Sequence, residues 1–458
     1  MAFAVLCLLA ACSTPPPTAA PQALPVAGTW SRVHTTGPSS APWWSAWKDP
    51  QLDALITKAL ADNPDSALIA ARINQARAAE AAARAAGSPA VTLNAGTERQ
   101  HVARRHRLPA EDGSPPRAVR RRFELEAQAV YEIDWLGRNT FAVAGARAQS
   151  MAAEHDAAAA RIALICAVVE AYADIALAEQ QAALADAQAG LAGEAEAAEQ
   201  RRLLAGLTNQ RALRGRQDVW SRTALAADDA SRQRKQAVDR LALLLGQPAH
   251  HFAAPAVSAA VLEQALALQA DQPADVIGRR PDVLAAWQRL LAATADAERA
   301  HLERYPRITL SAGSGLLSEA FSRWLRRDAL GWVLGVRANA SLFDGGRQQA
   351  QANQAQALSQ ERQAEYRKTV LTALQEAESA FVQFEFTRAS AAQAAAATQR
   401  RQADERNVRS ELAAGRTSRV VMLDAGRATL EARDELLRAQ RAHLQSYVLL
   451  RRVLADGA

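Results

Sequence analysis

Hydrophobic and polar residues alternate in four stretches of this chain and recur at helical spacing almost everywhere else. From Phe123 to Asp134 the odd positions are Phe123, Leu125, Ala127, Ala129, Tyr131 and Ile133, and the even ones are mostly Glu, Gln and Asp. Period two over a dozen residues predicts a strand with one apolar and one polar face. Trp332, Leu334, Val336, Ala338, Ala340 and Leu342 repeat the theme, with Arg337, Asn339 and Ser341 between them. Shorter alternations at Val91, Leu93, Ala95 and at Ile308, Leu310, Ala312 predict two more. The four strands are expected at about 89–103, 121–134, 306–318 and 330–344. Such lengths fit a barrel wall with lipid outside and water inside. A half-buried sheet in a soluble domain gives the same alternation. Four strands cannot close a barrel, and open sheet edges do not persist in hydrocarbon, so a membrane reading requires several chains to share one barrel. Three would supply twelve strands.

Between Arg138 and Gly206 no proline occurs, and a continuous helix of that length spans about 100 Å. Ile162, Ile165, Val169, Tyr172 and Ala176 follow 3,4,3,4 spacing, which predicts a coiled-coil seam, and Tyr366, Val370, Ala373, Ala377 and Phe381 do similar work in the second half. Leu423, Leu430, Leu437 and Leu444 recur every seven residues, but no basic fork precedes them, which argues against a DNA-binding zipper. Asn209–Gly246 spans only about 57 Å. The helix Asp65–Gly87, about 33 Å long, nearly closes the gap if stacked on its end.

The landmarks occur twice. Pro64 and Pro89 reappear as Pro281 and Pro306 at an offset of 217, while Gly137 and Gly206 reappear as Gly346 and Gly415 at 209. The offset changes only across the loops between paired strands, where insertions are tolerated. The chain therefore reads as a repeat at 43–250 and another at 251–458, each with a hairpin turn, near 206 and 415.

The amino terminus reads as a processed segment. Residues 2–11 are apolar and end in Leu9-Ala10-Ala11-Cys12, followed by Ser13-Thr14 and three prolines. An apolar run with small residues before a cleavage point predicts a signal peptide at 1–11 and a flexible tether at 12–42. The Leu-Ala-Ala-Cys order resembles a bacterial lipobox, which implies acylation (palmitate among the chains) at Cys12. Cys166 falls on an apolar helical face and reads as a small core residue.

Composition narrows the classes further. The 458 residues carry 54 Lys+Arg against 48 Asp+Glu, a formal charge of +6, and only four are lysine. That charge does not by itself indicate nucleic acid. No apolar stretch approaches the roughly 20 residues of a spanning helix. There is no His/Cys spacing for a metal, no phosphate-cradling glycine loop and no nucleophile placed with a base. No enzyme, cofactor or metal site is expected. The loop holding His101, Arg104, Arg105, His106, Arg107, Arg117, Arg120, Arg121 and Arg122 is unusually basic. On an extracellular rim it would face lipopolysaccharide phosphates, and elsewhere it would be a solvated loop.

Trp47-Lys48-Asp49-Pro50-Gln51-Leu52, Tyr131-Glu132-Ile133-Asp134-Trp135-Leu136-Gly137-Arg138, Leu243-Leu244-Leu245-Gly246-Gln247-Pro248, Arg279-Arg280-Pro281-Asp282 and Leu342-Phe343-Asp344-Gly345-Gly346-Arg347 together resemble the TolC/OprM outer-membrane factor family, in particular its NodT-like lipoprotein branch. The likeness runs from about Trp43 to the carboxyl end. It implies a mixed α+β membrane protein: a homotrimer with a twelve-stranded outer-membrane β-barrel, four strands per chain, continued by a long periplasmic coiled-coil barrel. It further implies an exit duct of a tripartite efflux system, working with a periplasmic adaptor and an inner-membrane pump of the RND type. A type I protein-secretion duct and a lipid-anchored periplasmic scaffold without a pore are the alternatives. Gly206, Leu207, Gly415 and Arg416 would form the periplasmic tip and the adaptor contact. The family usually places an acidic residue six positions after each turn glycine. Here those positions hold Ala212 and Val421, which leaves Asp218 and Asp424 as candidates for the gate.

Overall fold

The computed structural model describes residues 42–101, 103, 119–257 and 278–455. The tether with Cys12 and the basic loop residues from Arg104 to Arg117 lie outside them. Within this range the chain forms α1 (Pro50–Asp62), α2 (Pro64–Ala86), β1 (Ala90–His101), β2 (Val119–Ile133), α3 (Arg138–Leu204), α4 (Gln210–Leu244), α5 (Pro281–Leu302), β3 (Arg307–Ser318), β4 (Leu330–Asn339), α6 (Arg347–Ala413) and α7 (Arg419–Val453). Several paired elements match in length. The two longest helices have 67 residues each, their successors 35 each, and β1 and β3 have 12 each.

The chain divides into two compact units, and each half of the sequence runs through both. One unit takes its described residues from Ile73–Ala153 and Ala286–Tyr366, and the other from Ala23–Arg72, Glu154–Ala285 and Arg367–Ala458.

The first unit is built on one antiparallel sheet in the order β1-β2-β3-β4. Its register aligns the two periodicities. Leu93 lies opposite Ala127, Tyr131 opposite Leu310, and Leu310 opposite Val336, so the apolar positions share one face. Glu126 lies opposite both Asn94 and Gly315, and Thr309 opposite Arg337, on the polar face. Val91, Leu93, Trp332, Leu334 and Val336 are 71–77% exposed. The fourth strand stops at Asn339, five residues short of the expected 344. Asn339 pairs with Arg307, the first residue of β3, so the backbone beyond it has no ladder to join. Leu342 and Phe343 consequently stand exposed in the connection to α6.

Helix entry after each hairpin uses an aspartate. The Asp134 carboxylate accepts from the Asn139 and Thr140 amides at 3.0 and 2.8 Å, and Asp344 accepts from Gly346 and Gln348 at 3.0 and 2.9 Å. A negative charge there satisfies free amides and the positive end of the helix dipole. Arg138 and Glu132 form an ion pair beside the first of them.

The second unit holds the large core. Ile162, Ile165, Val169, Tyr172 and Ala176 of α3 are all nearly inaccessible, as are Phe381 of α6 and Leu444 and Tyr447 of α7. Of the heptad leucines, Leu423 and Leu444 are buried and Leu430 and Leu437 half-buried. The segment ahead of α1 is part of this core. Trp43 and Trp47 meet the Tyr447 ring at 6.0 and 6.1 Å. Asp49 caps α1 and also accepts the Tyr172 hydroxyl proton at 2.7 Å, while burial and that carboxylate push the Tyr172 pKa well up.

Candidate functional site: the helical hairpin turns and the sheet face

The two hairpin turns share one chemistry. α3 ends at Gly206, with φ +71°, where the Leu207 amide donates to Arg202 O at 2.9 Å and the Gly206 amide to Leu203 O at 3.0 Å. α6 ends at Gly415, with φ +72°, where Arg416 donates to Glu411 O and Gly415 to Leu412 O, both at 2.9 Å. This is the left-handed closure that a glycine adopts without strain. Asn209 then caps α4 through the Ala212 amide, and Ser418 caps α7 through the Val421 amide. Two-residue spacers between closure and cap reverse the chain in four positions. Leu204 and Leu207 are left exposed at the first turn.

The two gate candidates have different surroundings. Asp218 is exposed on α4, and its carbonyl accepts from Arg222 at 3.2 Å. Asp424 of α7 takes a two-pronged pair from Arg216 of α4, at 2.6 and 2.8 Å. Those hydrogen bonds, against the opposing effect of burial, raise the Arg216 pKa above its ordinary value. A second bond, from Arg419 of α7 to Glu194 of α3 at 3.0 Å, ties the same hairpins. Ala212 is half-buried and Val421 exposed at the positions where an acid would be expected. Sequence reasoning missed Arg216. It precedes Asp424 by 208 residues, and no local spacing marks the pair.

At the other end of these helices lies a second polar hub. Arg280 is buried and donates to Asp282 at 2.7 and 3.0 Å, to Glu376 at 2.7 Å, and to the carbonyls of Ala373 and Val453 at 3.4 Å. Burial alone would raise the Asp282 pKa, but the Arg280 hydrogen bonds and charge outweigh it and hold the carboxyl below its usual range. A cavity of about 720 Å³ opens beside this hub, with Ile162, Gln375 and Arg452 among its walls.

Two long helical hairpins with glycine-closed turns, and a four-stranded antiparallel sheet with an exposed apolar face, are the features by which the class of this protein is recognised. The family model for the outer membrane efflux protein matches residues 55–247 and 273–456, and the chain belongs to that family. The pyoverdine export outer membrane protein OpmQ of Pseudomonas putida is 29% identical, over 98% of this chain and 95% of its own. The outer membrane protein OprJ of Pseudomonas aeruginosa is 31% identical, over 82% of this chain and 78% of its own. Among solved structures, the outer-membrane channel OprN superposes with a TM-score of 0.80 at 25% identity, covering 97% of this chain and 98% of that one. The chain is an outer-membrane channel component of an efflux system.

Proposed function

We propose that three copies of this chain, each a duplicated 43–250 and 251–458 unit, form one twelve-stranded barrel in the outer membrane, continued by a periplasmic tube of α-helices. The supporting observation is the sheet. β1 and β4 each have a strand on one side only among the described residues, and the apolar face is largely uncovered. Unpaired edges and exposed Trp332 and Leu334 are costly in water, and in lipid only barrel closure removes the edges. Cys12 carries the lipid, adding about 0.8 kcal/mol of membrane affinity per buried methylene. The turns at Gly206-Leu207 and Gly415-Arg416 form the tip that touches a periplasmic adaptor, and the Arg216–Asp424 pair holds the tip closed. The cargo is small molecules delivered through that adaptor by an inner-membrane pump of the RND type, in keeping with relatives named for pyoverdine export.

Single-channel recording in planar bilayers tests the reading. A lipid-anchored trimer should give discrete conductance steps, whereas a pore-free scaffold gives none. Deleting the gene should raise sensitivity to small toxic molecules. A loss confined to a secreted protein would instead indicate a type I secretion duct.

A further inference from the structure

The apolar face of the sheet ends in a pair of arginines. Its strand positions, read through the register, are Val91, Leu93, Ala95, Thr97, Arg99 and His101 on β1 and Ile133, Tyr131, Ala129, Ala127, Leu125, Phe123, Arg121 and Val119 on β2. On β3 they are Ile308 to Ser318 in steps of two, and on β4 Leu330 to Ala338 likewise, all apolar, small or hydroxyl-bearing. Arg99 and Arg121 are thus the two charges with fixed sign on that face of the strands. They lie directly opposite each other. Cross-strand partners stand about 5 Å apart, and like charges so placed repel. Both side chains are exposed, and among the described residues neither has an ion-pair partner. Arg122, one position on, faces the other way and does have one, Glu124 at 2.9 Å.

Their height is also fixed. From Ile133 to Phe123 the strand climbs about 33 Å, which at the tilt of a barrel strand is roughly the 25 Å of an apolar band. At the top of that band Phe123 meets Phe321 at 5.5 Å and Trp324 at 6.1 Å, from the loop between β3 and β4. Aromatic rings of this kind mark the boundary of hydrocarbon. The arginine pair lies one step beyond the boundary, at headgroup level, and exposed Arg323 and Arg327 belong to the same loop as the rings.

We infer that Arg99 and Arg121 form a binding site for a phosphate group of an outer-leaflet glycolipid, with its acyl chains lying down the apolar face below Phe123. Two guanidinium groups on one face suit an anion with several oxygens, since each donates in pairs to phosphate. A bound phosphate also removes the repulsion that the register builds in. The inference rests on the barrel reading of the sheet.

The test uses the full-length trimer in nanodiscs, with lipid A carrying two phosphates, the same glycolipid with both phosphates removed, or phosphatidylglycerol as probe. The wild type should retain bisphosphorylated lipid A, and Arg99→Gln with Arg121→Gln should weaken retention by at least about tenfold. Arg120→Gln with Arg122→Gln, on the opposite face, should change it little. Equal retention of the dephosphorylated glycolipid, of phosphatidylglycerol, or by the Arg99/Arg121 variant overturns the site. A wild type that enters nanodiscs and conducts but shows no phosphate preference overturns the site alone. A wild type that never inserts overturns the barrel reading and the site with it.

Discussion

Asn63 and Arg280 perform one task in the two halves of the chain with different chemistry. The Asn63 amide donates to Leu244 O at 2.9 Å, and the Arg280 guanidinium to Val453 O at 3.4 Å. Each precedes the proline that starts a helix, and each satisfies a carbonyl in the last turn of the 35-residue helix of its own half. The offsets agree, 280 − 63 = 217 and 453 − 244 = 209. Loss of either leaves a helix end unsatisfied, but only Arg280 also neutralises two carboxylates.

The costs should therefore differ. Asn63→Ala should lower stability by about 1–2 kcal/mol, the value of one buried hydrogen bond and its stranded acceptor. Arg280→Ala should cost about 3 kcal/mol because Asp282 and Glu376 lose their shared partner, moderated by their own partial exposure. Arg280→Lys should not restore it, since an ammonium lacks the planar fork. Denaturant titration of the purified protein checks this. Equal losses at both sites would refute the distinction.

Two glycines of the same handedness should respond differently to a methyl group. Gly206 has φ +71° with nothing within 4 Å of a built Cβ, so Gly206→Ala should cost only about 1 kcal/mol of backbone strain. Gly246 has φ +66°, and a Cβ there would lie 2.4 Å from Asp62 O. Gly246→Ala should cost at least about 3 kcal/mol, because the junction of α1 and α2 would have to move off the end of α4. Similar melting temperatures for the two variants would contradict the close approach.

Cys166 should be silent to thiol reagents while the protein is folded. Burial, then the charge of Glu170, pushes its pKa to about 12, so only about one thiol in 3,000 is ionised at pH 8.5. With Cys12 acylated and the first eleven residues removed, maleimide should label nothing in the native protein and one thiol after denaturation. Prompt native labelling, located by peptide mass at Cys12 or at Cys166, would refute the acylation or the burial respectively.

Acid should loosen the second unit through His443. Burial, and then the positive charge of Arg388, holds the His443 pKa below 6.5 against the opposing Glu385. The ring stacks on Phe384 at 4.8 Å and approaches the Thr387 hydroxyl at 3.4 Å, itself paired with Ser446 at 2.7 Å. A depressed histidine pKa means that the unfolded chain binds the proton more readily. Its contribution is present above pH 6.5 and is lost as pH falls toward the folded-state pKa. His443→Gln should flatten the stability profile in that window, and an unchanged profile would assign the acid sensitivity elsewhere.

The latch should be breakable without harm to the fold. Arg216 and Asp424 are each only partly buried, so the pair contributes about 1 kcal/mol, enough to shift an opening equilibrium about fivefold. Arg216→Gln should raise mean single-channel conductance or open probability, and the swap Arg216→Asp with Asp424→Arg should restore closure. Unaltered conductance in Arg216→Gln would remove the pair from gating.

The legible parts of the fold were those carried by period and punctuation. The strand faces followed from alternation at Phe123–Ile133, because side chains in a strand point to opposite faces in turn and a one-residue slip would exchange the apolar face for the polar one. The turns followed from glycine at 206 and 415, because few other residues hold a left-handed closure. Less of the site was legible. Asp424 was identifiable as an acid near the turn, but its partner Arg216 was not. The basic loop stood out as a charge run, yet only the register places Arg99 directly opposite Arg121.

Sequence by itself determined the long helices, the four strands, the doubled order of elements and the glycine turns, because each depends on neighbours within a few residues. Tertiary structure alone decided that β4 stops where β3 begins, that Arg280 and Asn63 close equivalent helix ends, and that Arg216 meets Asp424. Those contacts join residues dozens to hundreds of positions apart, and their partners are chosen by the crossing of helices and the alignment of strands, which no local pattern records.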